Sequence, residues 1–207
     1  KPCHTIANGL MQKMLEEGEN YKIRFVNRLD MNTSGLLIVA KNSHAQDALT
    51  KQMNASARGL HKKYKAIVVG EMPEDSGTID LPLGRPDPEE VERWVLPVEQ
   101  GGYPSVTHYQ VLDRFHGHSL VELELETGRT HQIRVHMAYI GHPVAGDPVY
   151  GPKKQNLTQE GQMLHAGVLG FVHPRTGEEM FFTSELPEDM TCLLEKWRTY
   201  ISNREEL

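Results

Sequence analysis

The longest uninterrupted apolar run in this 207-residue chain is Leu36-Leu37-Ile38-Val39-Ala40, five residues. A helix crossing a bilayer needs about 20. The apolar residues must therefore be packed by short elements, each turning one face inward. A chain of this length can bury a sizeable core in that way. No signal-peptide pattern opens the chain, and the expected compartment is the cytoplasm. The two cysteines, Cys3 and Cys192, stand far apart with no Cys-x-x-Cys spacing. Leu193 and Leu194 follow Cys192 in a helical pattern, so it is expected to be a buried free thiol.

The pattern predicts alternating short helices and strands. Thr5 is placed to cap a helix carrying Ile6, Leu10 and Met14, ending at Gly18. Lys22 to Val26 alternates as a strand. Gly35 to Ala40 is expected to be one continuous strand buried on both faces. Ser43 is expected to cap a helix with Ala45, Ala48, Leu49 and Met53 on one face. Lys63 to Val69 follows as a strand, and residues 71–103 are loop-rich around short strands such as Trp94 to Leu96. Ser105 to Leu112 and Ser119 to Glu126 suit an antiparallel pair. Thr130 can cap a helix ending at Gly141 and Pro143. Leu164 to Val172 and Glu179 to Thr183 read as a hairpin about Pro174 to Gly177. Pro187 starts a last helix with Met190, Leu193, Leu194, Trp197 and Ile201 on its apolar face. Strands outnumber helices and pair mostly with near neighbours. The expected class is α+β, a mixed, largely antiparallel central sheet flanked by helices.

The net charge of −6 argues mildly against a nucleic-acid partner. Its distribution matters more. Arg58 to Lys65 reads Arg-Gly-Leu-His-Lys-Lys-Tyr-Lys, a basic stripe containing Lys62 and Lys63, while the acids gather elsewhere. Such a stripe suits an enzyme that holds and releases RNA, and equally a solvated surface.

Residues 27–35 read Asn-Arg-Leu-Asp-Met-Asn-Thr-Ser-Gly and place Asp30 on a turn between apolar strands. Turn aspartates commonly bond their own backbone. Rigid flanks, with Thr33 and Ser34 bonding backbone groups of the turn, would instead aim this carboxylate. A second segment, 125–136, reads Leu-Glu-Thr-Gly-Arg-Thr-His-Gln-Ile-Arg-Val-His. On a helix there, His131 and Arg134 share a face, and Ile133, Met137 and Ile140 form the core stripe. Arg134 can then pair with a carboxylate. Arg129, just ahead of the helix, sits where backbone N–H groups point outward, a position suited to phosphate. His131 and His136 lie about 140° apart around a helix, so they do not share a metal ion. Tyr64, in Lys-Lys-Tyr-Lys, is either a core aromatic or a residue that stacks on a base.

The two segments together resemble the RluA-type family of RNA pseudouridine synthases. The likeness extends to residues 62–70, to Ile-Gly-His-Pro-Val-Ala-Gly-Asp-Pro-Val-Tyr-Gly at 140–151, to Leu-His-Ala at 164–166 and to His-Pro-Arg-Thr-Gly-Glu at 173–178. The resemblance implies one catalytic domain over residues 1–207, incomplete at its N-terminal edge. It implies that Asp30 is the catalytic carboxylate, that Tyr64 lies against the target ring and serves proton transfer at carbon 5, and that Arg134 pairs with Asp30. Arg28 would help extrude the base and Leu164 would pack beside the uracil. His131 and Ile133 are counted among the substrate-facing positions with Arg129, Lys62 and Lys63. No metal or organic cofactor is implied, since the isomerisation has no redox or hydrolytic step. Asn27 departs from the histidine usual before Arg-Leu-Asp, and Cys3-His4-Thr5 follows Lys1-Pro2 without the usual glycine-containing stretch.

The expected partner is structured RNA, ribosomal from the large subunit rather than transfer RNA, and the expected state is a monomer. A ribosome-assembly module with vestigial chemistry is the alternative from another class. A nucleoside hydrolase would need a second acid or a metal beside Asp30, and the motifs supply neither.

Overall fold

Residues 66, 67 and 68 send their side chains to alternate sides of one strand, and that alternation builds two cores. Ala66 and Val68 join Val121, Leu123, Ile133 and Met137 in one buried cluster; Ile67 joins Leu120, Phe115, Met190 and Leu194 in another. A sheet buried on both faces must be covered on both, and a helix packs on each.

The computed structural model describes residues 5–54, 61–87, 89–154 and 161–205. The sequence expectations for Lys1-Pro2, Cys3 and Arg58, and for the side chain of Ile201, lie outside what is described. In chain order the elements are α1 (Ile6–Glu16), β1 (Arg24–Phe25), β2 (Ser34–Gly35), β3 (Val39–Ala40), α2 (Ser43–Asn54), β4 (His61–Val69), β5 (Ser76–Asp80), β6 (Leu83–Gly84) and β7 (Trp94–Val95). They continue with β8 (Val106–Phe115), β9 (His118–Leu125), α3 (Gln132–Tyr139), β10 (Leu164–Val172), β11 (Glu179–Thr183) and α4 (Glu188–Glu205). The strands run β11-β10-β4-β9-β8-β5 across the main sheet, and β2 pairs with β10 as its parallel member. The α+β, largely antiparallel expectation holds.

The chain forms two compact units. The larger comprises residues 30–36, 61–170 and 181–207 and contains α3, α4 and the main sheet apart from the last two residues of β10 and the first two of β11. Tyr64 pairs with Leu123 across β4 and β9, and Leu164 pairs with Ala66 across β10 and β4. The smaller unit comprises residues 1–29, 37–60 and 171–180. There Thr5 caps α1 by accepting from the Asn8 N–H, as expected, and β1 pairs with β3. Buried Asn27 accepts the Ile38 N–H at 2.7 Å. Gln52 bonds both the N–H and the C=O of Val172.

Four local expectations are corrected. Residues 35–40 are not one strand, because Gly35, at φ 111°, leaves the extended region and the chain changes partner there. Its two ends belong to β2 and β3, in different sheets. The helix α2 is capped by Asn42, whose Oδ1 accepts the Ala45 N–H, and not by Ser43. The strand over 22–26 shrinks to β1. Cys192 is exposed, since Met190 and Leu194 hold the inward face of α4. Among the described residues no helix is long and apolar enough to cross a membrane.

Candidate active site

The turn that carries Asp30 closes with a hydrogen bond from the Thr33 N–H to the Asp30 carbonyl. It is then pinned from outside. Gln162 Nε2 donates to the Met31 carbonyl at 2.6 Å and to Thr33 Oγ1 at 2.9 Å. Ser34 Oγ lies 2.8 Å from His165 Nδ1, and the Leu36 N–H donates to the Ala166 carbonyl. The Thr33 and Ser34 hydroxyls thus fix the turn through the side chains of Gln162 and His165, not through the turn's own backbone. Gly35 is required at this junction: a Cβ there would stand 2.3 Å from the Ala166 carbonyl oxygen.

Facing the turn is α3. Its side chains from Gln132 to Met137 are all buried. The residue at its head is His131, in the left-handed region at φ 58°, with no side-chain cap; Thr130 does not cap the helix. Gln132 secures the start instead, accepting the Arg129 N–H and the Thr127 hydroxyl while donating to the Val106 carbonyl. Arg129's own N–H is therefore taken, and its guanidinium lies over the Tyr103 ring. His136 is wholly buried between Thr107 Oγ1 and the Leu81 carbonyl, a structural role.

Arg134 is brought to Asp30. Its Nη1 lies 3.4 Å from Asp30 Oδ2, and His131 Nε2 lies 4.0 Å from the same oxygen. A second acid, absent from the sequence reading, completes the set. Asp147 Oδ2 accepts from Arg134 Nε at 2.6 Å, and Oδ1 accepts from Nη2 at 2.9 Å. Asp147 Oδ1 also accepts the Val149 and Tyr150 N–H groups. Burial alone would raise the Asp147 pKa; the bond from Arg134 and the two N–H donors outweigh it and hold the carboxyl below its usual range. Burial would likewise lower Arg134, but Asp147 and then Asp30 keep it above its ordinary value. The side chains open outward in order, from Asp147 at 0% and Arg134 at 5% to His131 at 12% and Asp30 at 16%. A fixed cation thus lies under a carboxylate that solvent or substrate can reach.

Tyr64 projects from β4 on the face that carries Ala66 and Val68, and packs against their cluster. Burial, and then the negative charge of Asp30, push its phenol up to about 12, so it is neutral at any physiological pH. Tyr150, at the end of the 140–151 block, puts its hydroxyl 2.9 Å from His131 Nδ1 and its ring 5.1 Å from the Arg134 guanidinium carbon. That block was visible in the sequence; which of its side chains point inward was not.

The remaining expected residues divide. Leu164 is buried in the cluster against which Tyr64 packs. Ile133 is 4% exposed and packs in that same cluster. Lys62 is buried, and Lys63 pairs with Glu122 at 2.8 Å, so neither of these two is a freely solvated cation. Arg28 is exposed, in the smaller unit. Among the described residues no three His, Cys, Asp or Glu side chains cluster as metal ligands do.

Residues 3–139 match the sequence profile of a family described as RNA pseudouridylate synthase. The chain belongs to that family. This agrees with the RluA-type resemblance. An uncharacterized RNA pseudouridine synthase of Bacillus subtilis, YlyB, is 50% identical over 197 residues, covering 94% of this chain and 63% of that protein. Ribosomal large subunit pseudouridine synthase D of Vibrio parahaemolyticus is 39% identical over 209 residues, covering 95% of this chain and 62% of the relative. The chain thus spans a little under two thirds of the length of these relatives. Among solved structures, human RNA pseudouridylate synthase domain containing 1 superposes with a TM-score of 0.73 at 28% identity, over 94% of this chain and 85% of that one.

Proposed function

We propose that the protein isomerises uridines of large-subunit ribosomal RNA to pseudouridine, with Asp30 as the catalytic carboxylate. The observation that carries this reading is the convergence of Asp30, Arg134 and Tyr64, from three separate sequence blocks, within one unit of a chain of this family. The ribosomal target rests on relatives named as large-subunit synthases.

The reaction detaches uracil N1 from the ribose, turns the base, and rejoins it through carbon 5. Extruding the nucleotide costs a few kcal/mol, and exposed Arg28 is suited to fill the vacated stack. Arg134 orients Asp30 through the hydrogen bond from Nη1 to Oδ2. Asp147 keeps Arg134 in place. Carbon 5 loses its proton as the new bond forms; Tyr64, held neutral, can accept that proton only while its own hydroxyl proton passes on to a base. Leu164 and the apolar wall behind Tyr64 suit the flat face of a pyrimidine. The partner is structured RNA and the setting the cytoplasm, with a monomer acting alone.

A hydrolase would need a second working acid, and Asp147 is the obvious candidate. It is fully buried and both its oxygens are engaged by Arg134 and backbone N–H groups, so it is not free to activate water.

The test is tritium release from RNA labelled at uridine carbon 5, using ribosomal and transfer RNA transcripts, for the protein and for Asp30→Asn. Release from large-subunit RNA that disappears in the variant is the expected result. Undiminished release in Asp30→Asn removes Asp30 from its role, release of free uracil establishes hydrolysis, and binding without turnover establishes a silent RNA-binding module.

A further inference from the structure

His131 holds its left-handed backbone at the head of α3 with contacts on both ring nitrogens. Strained backbone of this kind persists where the surroundings impose it, and it collects at functional sites. Nδ1 lies 2.9 Å from Tyr150 Oη, the two rings meeting nearly edge-on at 76°. Nε2 lies 4.0 Å from Asp30 Oδ2.

The hydrogen positions follow from the partners. Tyr150 Oη accepts the Arg93 backbone N–H at 2.8 Å. A phenol carries one hydrogen, and the remaining neighbour within bonding distance, among the described residues, is His131 Nδ1. If that hydrogen points to Nδ1, the ring proton must sit on Nε2, facing the Asp30 carboxylate. The opposite tautomer would aim a lone pair at a carboxylate and leave the phenol hydrogen with no acceptor among the described residues. The ring is neutral near pH 7. Burial lowers its pKa, and the charges of Arg134 and Arg93 act in the same direction against Asp30 and Asp147.

Both donors address one oxygen. The closest contact that Arg134 Nη1 and His131 Nε2 each make with Asp30 is to Oδ2. The 4.0 Å separation closes to a hydrogen bond with a movement of about 1 Å, and catalytic contacts commonly tighten when substrate enters. We infer that Tyr150 is a positioning residue: it fixes His131 as the Nε2–H tautomer, so that His131 and Arg134 together hold Oδ2 and leave Oδ1 as the oxygen that meets the substrate. This rests on Asp30 being the catalytic carboxylate, as proposed above.

Nitrogen-15 NMR of the histidine-labelled chain near neutral pH reads the tautomer directly, without any substitution. His131 is expected to show a protonated Nε2 and a bare Nδ1; a protonated Nδ1 overturns the inference. In Tyr150→Phe the signal should become a mixture of tautomers. Turnover should fall about tenfold while RNA affinity stays within twofold, since a positioning role acts on kcat and not on KM. A fall in affinity with kcat unchanged would overturn it. His131→Ala with Tyr150→Phe should be no slower than His131→Ala alone, because Tyr150 acts through His131. Multiplying losses would show that Tyr150 works by another route. If Asp30→Asn retains turnover, the catalytic reading and the assignment of Oδ1 fail together. If Asp30→Asn is inactive but the tautomer is reversed, the inference fails alone.

Discussion

Arg134 engages Asp147 with two nitrogens, Nε at 2.6 Å and Nη2 at 2.9 Å, and reaches Asp30 with the third, Nη1, at 3.4 Å. The more buried acid thus orients the cation, and the more open acid receives what remains of its donor fork. A guanidinium suits this because its donors lie in one plane with fixed spacing. A lysine could neutralise either carboxylate but could not address both from fixed directions.

Removing one member of a buried pair leaves the other charge uncompensated, at a cost of about 3–5 kcal/mol. Asp147→Ala is therefore expected to lower stability by about 3 kcal/mol and to abolish turnover, although Asp147 never meets the substrate. Chemical denaturation measures the first effect and tritium release the second. Arg134→Lys should keep most of the stability and lose most of the turnover, since charge survives and geometry does not. Equal losses in both assays would reduce Arg134 to a structural cation.

Asp147 also links stability to pH. Its folded pKa lies below the usual carboxylate value of 3.8. A depressed carboxyl contributes stability that is present above the unfolded pKa and lost as pH falls through the folded one. Unfolding free energy should thus drop below about pH 4, and the drop should be shallower in Asp147→Asn. Parallel acid curves for the two proteins would assign the drop to other carboxylates.

The placements of Asp30 and Arg134, and the strand that carries Tyr64, were legible in the sequence because each stands in a run whose neighbours report its position; whether Tyr64 serves the core or a base was not. Apolar residues flank the turn, Ala66 to Val69 alternate beyond Tyr64, and Ile133, Met137 and Ile140 mark the buried stripe of α3. Asp147 and Tyr150 were not legible. They lie in a loop rich in glycine and proline where no period tells inward from outward, and their partners are 13 and 19 residues away. The different settings of Lys62 and Lys63 were not legible for a related reason. Adjacent strand residues point to opposite faces, so Lys62 and Lys63 cannot share one basic surface. The break at Gly35 was hidden because five apolar residues in a row read as strand whichever sheet they join.

That alternation separates the two lysines experimentally. Lys63 is half-buried and paired with Glu122, an arrangement worth little on a partly exposed surface. Lys62 is buried on the same strand face as Tyr64, with its amine against Gly128 and its pKa lowered by desolvation. Lys63→Met is expected to leave RNA affinity within twofold. Lys62→Met should weaken binding and reduce the slope of log affinity against log salt by about one. Filter binding across a salt series decides between them, and an unchanged slope in Lys62→Met would make it a packing residue only.

Tyr64 gives the last prediction. Its phenol, pushed up to about 12, keeps its proton through the whole range in which RNA survives. Ultraviolet titration should show one tyrosine ionising after the rest, absent in Tyr64→Phe. Because the folded pKa is raised, the contribution to stability is complete below the unfolded value of about 10 and is lost as pH rises toward about 12. Activity should therefore show no limb between pH 7 and 9 that Tyr64→Phe removes. Tyr64→Phe keeps the ring in its apolar seat and deletes only the hydroxyl, so folding and RNA affinity should persist. Turnover should fall by about 10²-fold or more, the usual worth of a positioned proton-transfer group. Full turnover in Tyr64→Phe would leave the residue as an apolar wall for the pyrimidine and move the proton transfer elsewhere.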